Sequence, residues 1–200
     1  MLGFFALLLS CVSPEYRSAS DLGDDGLVVV ERSKAEPPSW VTLAPGQVID
    51  MPLELRIMTA RSKLLNLPLG LRQTQLIGLD TARAALAAWL KPQLLAVSKY
   101  KPSDSPLLNQ ELERMLRASL DGPAGKGIKI NDIYYEALIN RSAPPGDLMA
   151  NYYAVYILVA YPKDKLPLLF HDLSSRLRSS KLAEAQRLAP AVGLLEHPAP

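Results

Sequence analysis

The chain of 200 residues holds one cysteine, Cys11, and two histidines, His171 and His197. A single thiol excludes an internal disulfide, and so few Cys and His exclude a zinc centre built from several such ligands. Charge of one sign is also scarce. Lys and Arg number 22 against 20 Asp and Glu, a formal net charge of +2. No basic stripe interleaved with aromatics runs along the chain, so nucleic acid is not an expected partner. Long apolar runs are missing too. The run Phe4 to Leu9 stops at Ser10-Cys11, well short of the about 20 residues that a membrane-spanning helix needs.

What is present is an ordinary globular composition, 48% hydrophobic and 21% charged, enough for one domain with a real core. The 17 prolines exceed the usual share of about 5%, and their positions divide the chain. Pro14, Pro37, Pro38, Pro45 and Pro52 fall early, and Pro190, Pro198 and Pro200 fall late. The expected organisation is a leader over residues 1–10, a polar tether over 11–39, one domain over 40–189 and a proline-rich tail over 190–200.

The uncharged run Met1 to Ser10 fits the apolar part of a secretion signal, although Met1 to Phe5 lacks the Lys or Arg with which such signals normally begin. Leu8-Leu9-Ser10-Cys11 resembles the bacterial lipobox, at which the peptide is cut before the cysteine and the thiol is acylated. Two or three acyl chains, at about 0.8 kcal/mol per buried methylene, anchor a protein durably without a transmembrane helix. The expected membrane partner is therefore reached through lipid on Cys11.

Further along, Leu53, Leu55 and Ile57 alternate with Glu54 and Arg56, a strand signal. From Thr74 the period changes. Leu76, Leu79, Ala82, Leu86, Trp89 and Leu90 recur at helical spacing with many alanines between them, up to Pro92, which is expected to end or kink the helix. Ser105-Pro106 is a cap with proline at the first helical position. The stripe Leu108, Leu112, Met115, Leu116 and Leu120 follows, ending at Gly122-Pro123, with Glu113 and Arg117 paired on the opposite face. Ile128 to Ile139 and Tyr152 to Tyr161 read as an antiparallel hairpin with a long connection. The second run is apolar on both faces, as befits a central strand. Leu166, Leu169, Phe170, Leu173 and Leu177 make a last helix. The second face of the central strand then needs a cover: a partner chain, an extension of the first strand, or this last helix.

Catalytic patterns are weak. Gly122-Pro123-Ala124-Gly125-Lys126-Gly127 has the wrong spacing for a phosphate-binding loop and leads from helix to strand, so it reads as a turn. His171, Asp172 and Ser174 have the side chains of a hydrolytic triad, yet positions i, i+1 and i+3 of one helix point apart. Asp24 and Asp25 lie in the tether, and Asp132 is expected to be half-buried and bonded to a tyrosine or the backbone. No cofactor or metal is expected. Tyrosines outnumber phenylalanines eight to three, and Tyr134, Tyr135, Tyr152, Tyr153 and Tyr156 offer a candidate surface for a sugar or a partner protein.

Taken in order, Cys11, Pro38-Ser39-Trp40-Val41, the alanine-rich helix Thr74 to Leu90, a second helix, the Ile130-Asp132-Tyr134 strand, and Tyr153-Ala154-Val155-Tyr156-Ile157-Leu158-Val159 leading into Tyr161-Pro162-Lys163 form a pattern. Over about residues 40 to 180 it resembles the Helicobacter twenty-kilodalton membrane-associated lipoproteins and their relatives in other Gram-negative bacteria. The resemblance implies helices packed on a small antiparallel sheet, attachment to the outer membrane and no catalytic centre to carry over. Some relatives are associated with flagellar assembly or motility. The absence of Asp after Cys11 points, in such lipoproteins, to the outer rather than the inner membrane. Leu64 to Leu71 departs from the glycine-rich strand usual there.

The expected fold is thus α+β, a small antiparallel sheet of about three to four strands with helices on one face. The expected function is a non-enzymatic envelope lipoprotein that binds or organises other envelope components or itself. The alternatives are an envelope hydrolase using Asp132, His171 and Ser174, and a glycan-binding surface module using the tyrosines.

Overall fold

The structure is a computed structural model that describes residues 27–97, 105–147 and 150–196. Five antiparallel strands form one sheet: β1 (Leu27–Arg32), β2 (Val48–Asp50), β3 (Glu54–Leu64), β4 (Lys129–Asn140) and β5 (Asn151–Pro162), in the order β1-β4-β5-β3-β2. Four helices pack against it: α1 (Leu67–Val97), α2 (Pro106–Asp121), α3 (Leu166–Arg178) and α4 (Ala183–Gly193). The fold is α+β as expected, but the sheet is wider than three to four strands because two short edge strands close it.

β5 is central, paired with β4 on one side and β3 on the other. Its residues alternate between two cores. Val155, Ile157, Val159 and Tyr161 join Leu55 and Ile57 of β3 and the buried faces of all four helices. Ala154 and Tyr156 point the other way, into a second cluster with Leu27, Val41, Met58, Tyr134, Leu138 and Tyr152. The helices therefore share one face, and the last helix does not cover the other. That face is covered from within the chain, by the turn Ser39–Thr42, whose Val41 is buried and whose Trp40 and Leu43 lean on the cluster. Arg61 Nη2 donates to the Val41 carbonyl at 3.3 Å, and Trp40 Nε1 donates to Asp132 at 3.2 Å, fixing the turn in place.

β1 corrects the tether expected over 11–39. Leu27 to Arg32 pairs with Asn140 to Glu136 of β4, so the apolar run Leu27 to Val30 is an edge strand and the domain begins there among the described residues. The tail expected over 190–200 is corrected in the same way. α4 runs through Pro190 to Gly193, followed by a turn to Glu196, with Ala185, Leu188, Ala189 and Val192 buried. Proline is costly inside a helix because it removes one donor and crowds the carbonyl four residues back. Pro190 and the equally internal Pro92 both sit on exposed sides of their helices, where water can satisfy the freed carbonyl.

α1 is likewise longer than the sequence pattern suggests. Asn66 caps it by accepting from the Leu69 amide at 3.2 Å, and the Leu64 side chain fills the space that a Cβ on Gly70 would occupy. Its buried line is Thr74, Gly78, Ala82, Leu86, Leu90 and Leu94. Leu76, expected in the buried stripe, faces outward instead. Gly78 permits close approach: a Cβ there would lie 2.9 Å from Thr59 Oγ1 and 3.4 Å from Ile157. α2 follows expectation, with Ser105 Oγ accepting from the Leu108 amide at 3.3 Å and the whole leucine and methionine stripe buried. Arg117 donates to Glu113 at 3.1 Å on its exposed side.

Candidate functional site

The five tyrosines do not form one surface. β4 and β5 place Tyr134 opposite Tyr156 and Ala137 opposite Tyr153, and the pleat sends alternate residues to opposite faces. Tyr134, Tyr152 and Tyr156 are buried in the second cluster, with the rings of Tyr134 and Tyr156 tilted at 5.8 Å between centroids. Tyr135 and Tyr153 lie on the helix-covered face, half-buried and edge-to-face at 6.0 Å. The expected partner surface is corrected accordingly. Three of its rings are core, and a buried ring has no free face for a sugar.

Around those buried rings lies the most polar part of the sheet. Glu136 is fully buried on β4, where Oε1 accepts from the Tyr134 hydroxyl at 2.9 Å and meets Arg32 Nε at 3.3 Å, while Oε2 has no hydrogen-bond partner among the described residues. Arg61 stacks over Tyr156 at 5.3 Å and Lys63 over Tyr152 at 4.7 Å, cation–π contacts that roof the cluster. Asp132 is half-buried, as expected. It takes the Ile133 amide at 2.9 Å, Trp40 Nε1 and Lys34 Nζ at 2.6 Å. Among the described residues its partners are therefore backbone, a tryptophan and a lysine, with no tyrosine. Together these bonds fasten β1 and the Ser39–Thr42 turn to β4, which is a positioning arrangement.

His171, Asp172 and Ser174 are held by three separate partners. His171 is exposed, with Nδ1 3.0 Å from Glu196. Asp172 accepts from Arg176 at 2.7 Å; burial pushes its pKa up most strongly, but the Arg176 bond and charge together with Ser119 and the nearby His171 leave it lowered. Ser174 is buried and donates to the Ala189 carbonyl at 3.1 Å, joining α3 to α4. An imidazole placed between serine and carboxylate, which a triad needs, is not formed by these three. The segment Pro123–Gly127 is a 3-10 turn in which a Cβ on Gly125 would fall 1.5 Å from the Leu120 carbonyl oxygen. It is a packed turn against the end of α2, with no room for a phosphate at that glycine.

One cleft of about 630 Å³ opens between α2 and the connection from α3 to α4, lined by residues including Glu111, Arg114, Arg176, Ser180 and Lys181. Two of its charges are engaged with each other. Arg114 holds Glu111 through two bonds of 2.8 and 2.9 Å, and Ser180 donates to the same carboxylate at 3.0 Å. The Arg114 bond is the main reason that the Glu111 pKa lies below its ordinary value. Among the described residues no group of three or more His, Cys, Asp or Glu is placed to hold a metal ion. Cys11 lies outside the described residues. No family model, curated protein or solved structure matches the chain.

Proposed function

We propose that this chain is a lipid-anchored bacterial envelope lipoprotein of the twenty-kilodalton membrane-associated type, held at the outer membrane through lipid on Cys11. Its domain is non-enzymatic and binds or organises other envelope components, with a motility apparatus among the candidates. The observation that carries the reading is Leu8-Leu9-Ser10-Cys11 at the end of an uncharged apolar run, with a mostly polar stretch after it. Acylation removes the liability of a free thiol in such a setting. No helix among the described residues is long and apolar enough to cross a membrane, so lipid is the attachment that the motif supplies. The use of Asp132, Ser174 and Glu111 in bonds that join one element to another supports a binding rather than a chemical role.

Metabolic labelling with radioactive palmitate in a Gram-negative host tests the anchor. Label enters the wild-type chain and is lost in Cys11→Ala; equal labelling of both would overturn the reading. A mild-detergent pull-down from labelled membranes then names the partner.

A further inference from the structure

The cleft between α2 and the connection from α3 to α4 holds more cationic groups than its own carboxylates engage. Arg114, Arg176 and Lys181 line it against one carboxylate, Glu111. Both oxygens of Glu111 are taken: Arg114 Nε and Nη2 donate to one each, and Ser180 Oγ adds a third bond. Arg176 is held in a similar way, its Nε donating to Asp172 at 2.7 Å. Each guanidinium is thus pinned along one edge, and among the described residues Arg114 Nη1 and both Nη groups of Arg176 take no further bond. Lys181 is exposed and has no ion pair among the described residues. Even with Asp172 counted, three cations face two carboxylates. The rest of the wall is apolar at Leu107, Met115 and Leu182. Met115 is buried and Leu182 packs on the main core, while Leu107 stands 66% exposed. The volume of about 630 Å³ falls within the range of small-molecule sites, which join apolar wall to a few fixed polar groups.

We propose that this cleft binds a small amphipathic oxyanion, a carboxylate or phosphate head on a short apolar body. The head meets Lys181 and the open Nη edges of Arg114 and Arg176, since a planar guanidinium matches two oxygens of one carboxylate or phosphate. The carboxylates that pin the two arginines lower the cost of ordering them when a ligand arrives, because long side chains already held in place have less freedom to lose. The body rests on Leu107, Met115 and Leu182. Charge and wall together select this class. A cationic ligand would find Glu111 already committed on both oxygens, and a wholly apolar one would shield charged donors from water without replacing it. A bare inorganic anion would satisfy the cations and leave Leu107 uncovered. The proposal goes beyond the anchor reading and does not depend on lipid at Cys11.

The test uses the full chain with Cys11→Ala, so that no acyl chain is present, and isothermal titration calorimetry with four probes: hexyl phosphate, hexanoate, inorganic phosphate and hexyltrimethylammonium. The expected result is saturable binding of hexyl phosphate or hexanoate, the tighter of the two naming the head group, with weaker binding of inorganic phosphate and none of the cation. Lys181→Gln is expected to weaken the hexyl anion about tenfold, the loss of one charge-assisted bond. Leu107→Ser is expected to weaken it about fivefold and to leave inorganic phosphate unchanged, since only the apolar contact is removed. Lys126→Gln, exposed beyond the other end of α2, is the control and should change nothing. All three side chains are exposed, so the circular dichroism melts of the variants should match that of the parent. No saturable binding of either hexyl anion up to about 10 mM would overturn the proposal. So would an affinity unaffected by Lys181→Gln, or one lowered equally by Lys126→Gln, which would mark diffuse attraction to the whole surface. Because Cys11 is replaced throughout, failure here leaves the palmitate experiment standing, and failure of that experiment leaves this one standing.

Discussion

The Tyr134 hydroxyl donates to the Glu136 carboxylate at 2.9 Å, two residues along the same strand and on the same buried face. Arg32 from β1 reaches the same oxygen, so an edge strand is held partly by a carboxylate that the sheet has removed from water. Breaking a buried pair from one side strands its charge. Arg32→Ala is therefore expected to destabilise the domain by about 1–3 kcal/mol, below the 3–5 of a fully buried pair because the arginine is partly exposed. Glu136→Gln in that background should recover part of the loss. Urea melts of the two variants check this, and an Arg32→Ala curve equal to wild type would remove Arg32 from the account.

Leu86→Asp is expected to unfold the domain and Arg117→Ala to leave it nearly intact. Leu86 is fully buried on the line of α1 that meets the sheet. An unpaired carboxylate there costs several kcal/mol, comparable with a total stability of about 5–15 kcal/mol. Arg117 makes one exposed pair with Glu113, a contribution of about 0.3–0.5 kcal/mol. Thermal melts of both proteins distinguish the cases, and a cooperative wild-type-like melt of Leu86→Asp would contradict the packing described.

Gly125→Ala should be the most damaging of the glycine replacements. Its new methyl would overlap the Leu120 carbonyl, a backbone atom that cannot swing aside. The turn from α2 into β4 must then open, at an expected cost above about 3 kcal/mol, more than ordinary overpacking. Gly46→Ala and Gly146→Ala meet no neighbour, though both carry positive φ, and should each cost on the order of 1 kcal/mol. Denaturant midpoints of the three rank them.

Glu113 joins α1 to α2 through Lys91, at 3.0 Å, and that bond is the chief reason that its pKa is lowered from 4.5. A carboxyl whose folded pKa is depressed adds stability that is fully present above its unfolded value and is lost as pH falls through the folded one. The Glu113 contribution is thus expected to be intact at pH 7 and to fade below about pH 4.5. Lys91→Met should flatten this part of the stability profile below about pH 4.5. The two partners are partly exposed, so the change is shallow and shrinks further in high salt.

Local rules carried much of the fold. The period of α2, its Ser105-Pro106 start and Gly122-Pro123 stop, the alternation of β3, and the doubly apolar β5 were all legible because each depends on near neighbours in the chain. The same holds for the helical rise of α3 and for Gly122 to Gly127 as a turn. The candidate site was legible only in part. Asp132 was recognisable as a bonded, half-buried carboxylate, but the tyrosines next to it could not be sorted into core and surface.

What the tertiary structure alone decided comes down to pairing across long separations. Leu27 to Arg32 is a strand because β4, more than a hundred residues later, offers it an edge. Its own composition, four apolar residues and then charge, is equally that of a linker. Glu136 became buried because Tyr134 and Arg32 surround it, and Trp40-Val41 became the cover of the second face because Arg61 and Asp132 hold the turn there. Three bulges, after Val29, Met58 and Ile130, shift the alternation of their strands, so that period-two counting assigns the wrong face beyond each one. The sequence by itself determined which segments are helix and which are strand wherever the periodic signal is strong, and it supplied Cys11 and its surroundings. The partner of each strand, the face of each tyrosine and the outward leucines of α1 were decided only when the distant segments met, since burial is a property of the assembled layers and not of any one stretch of chain.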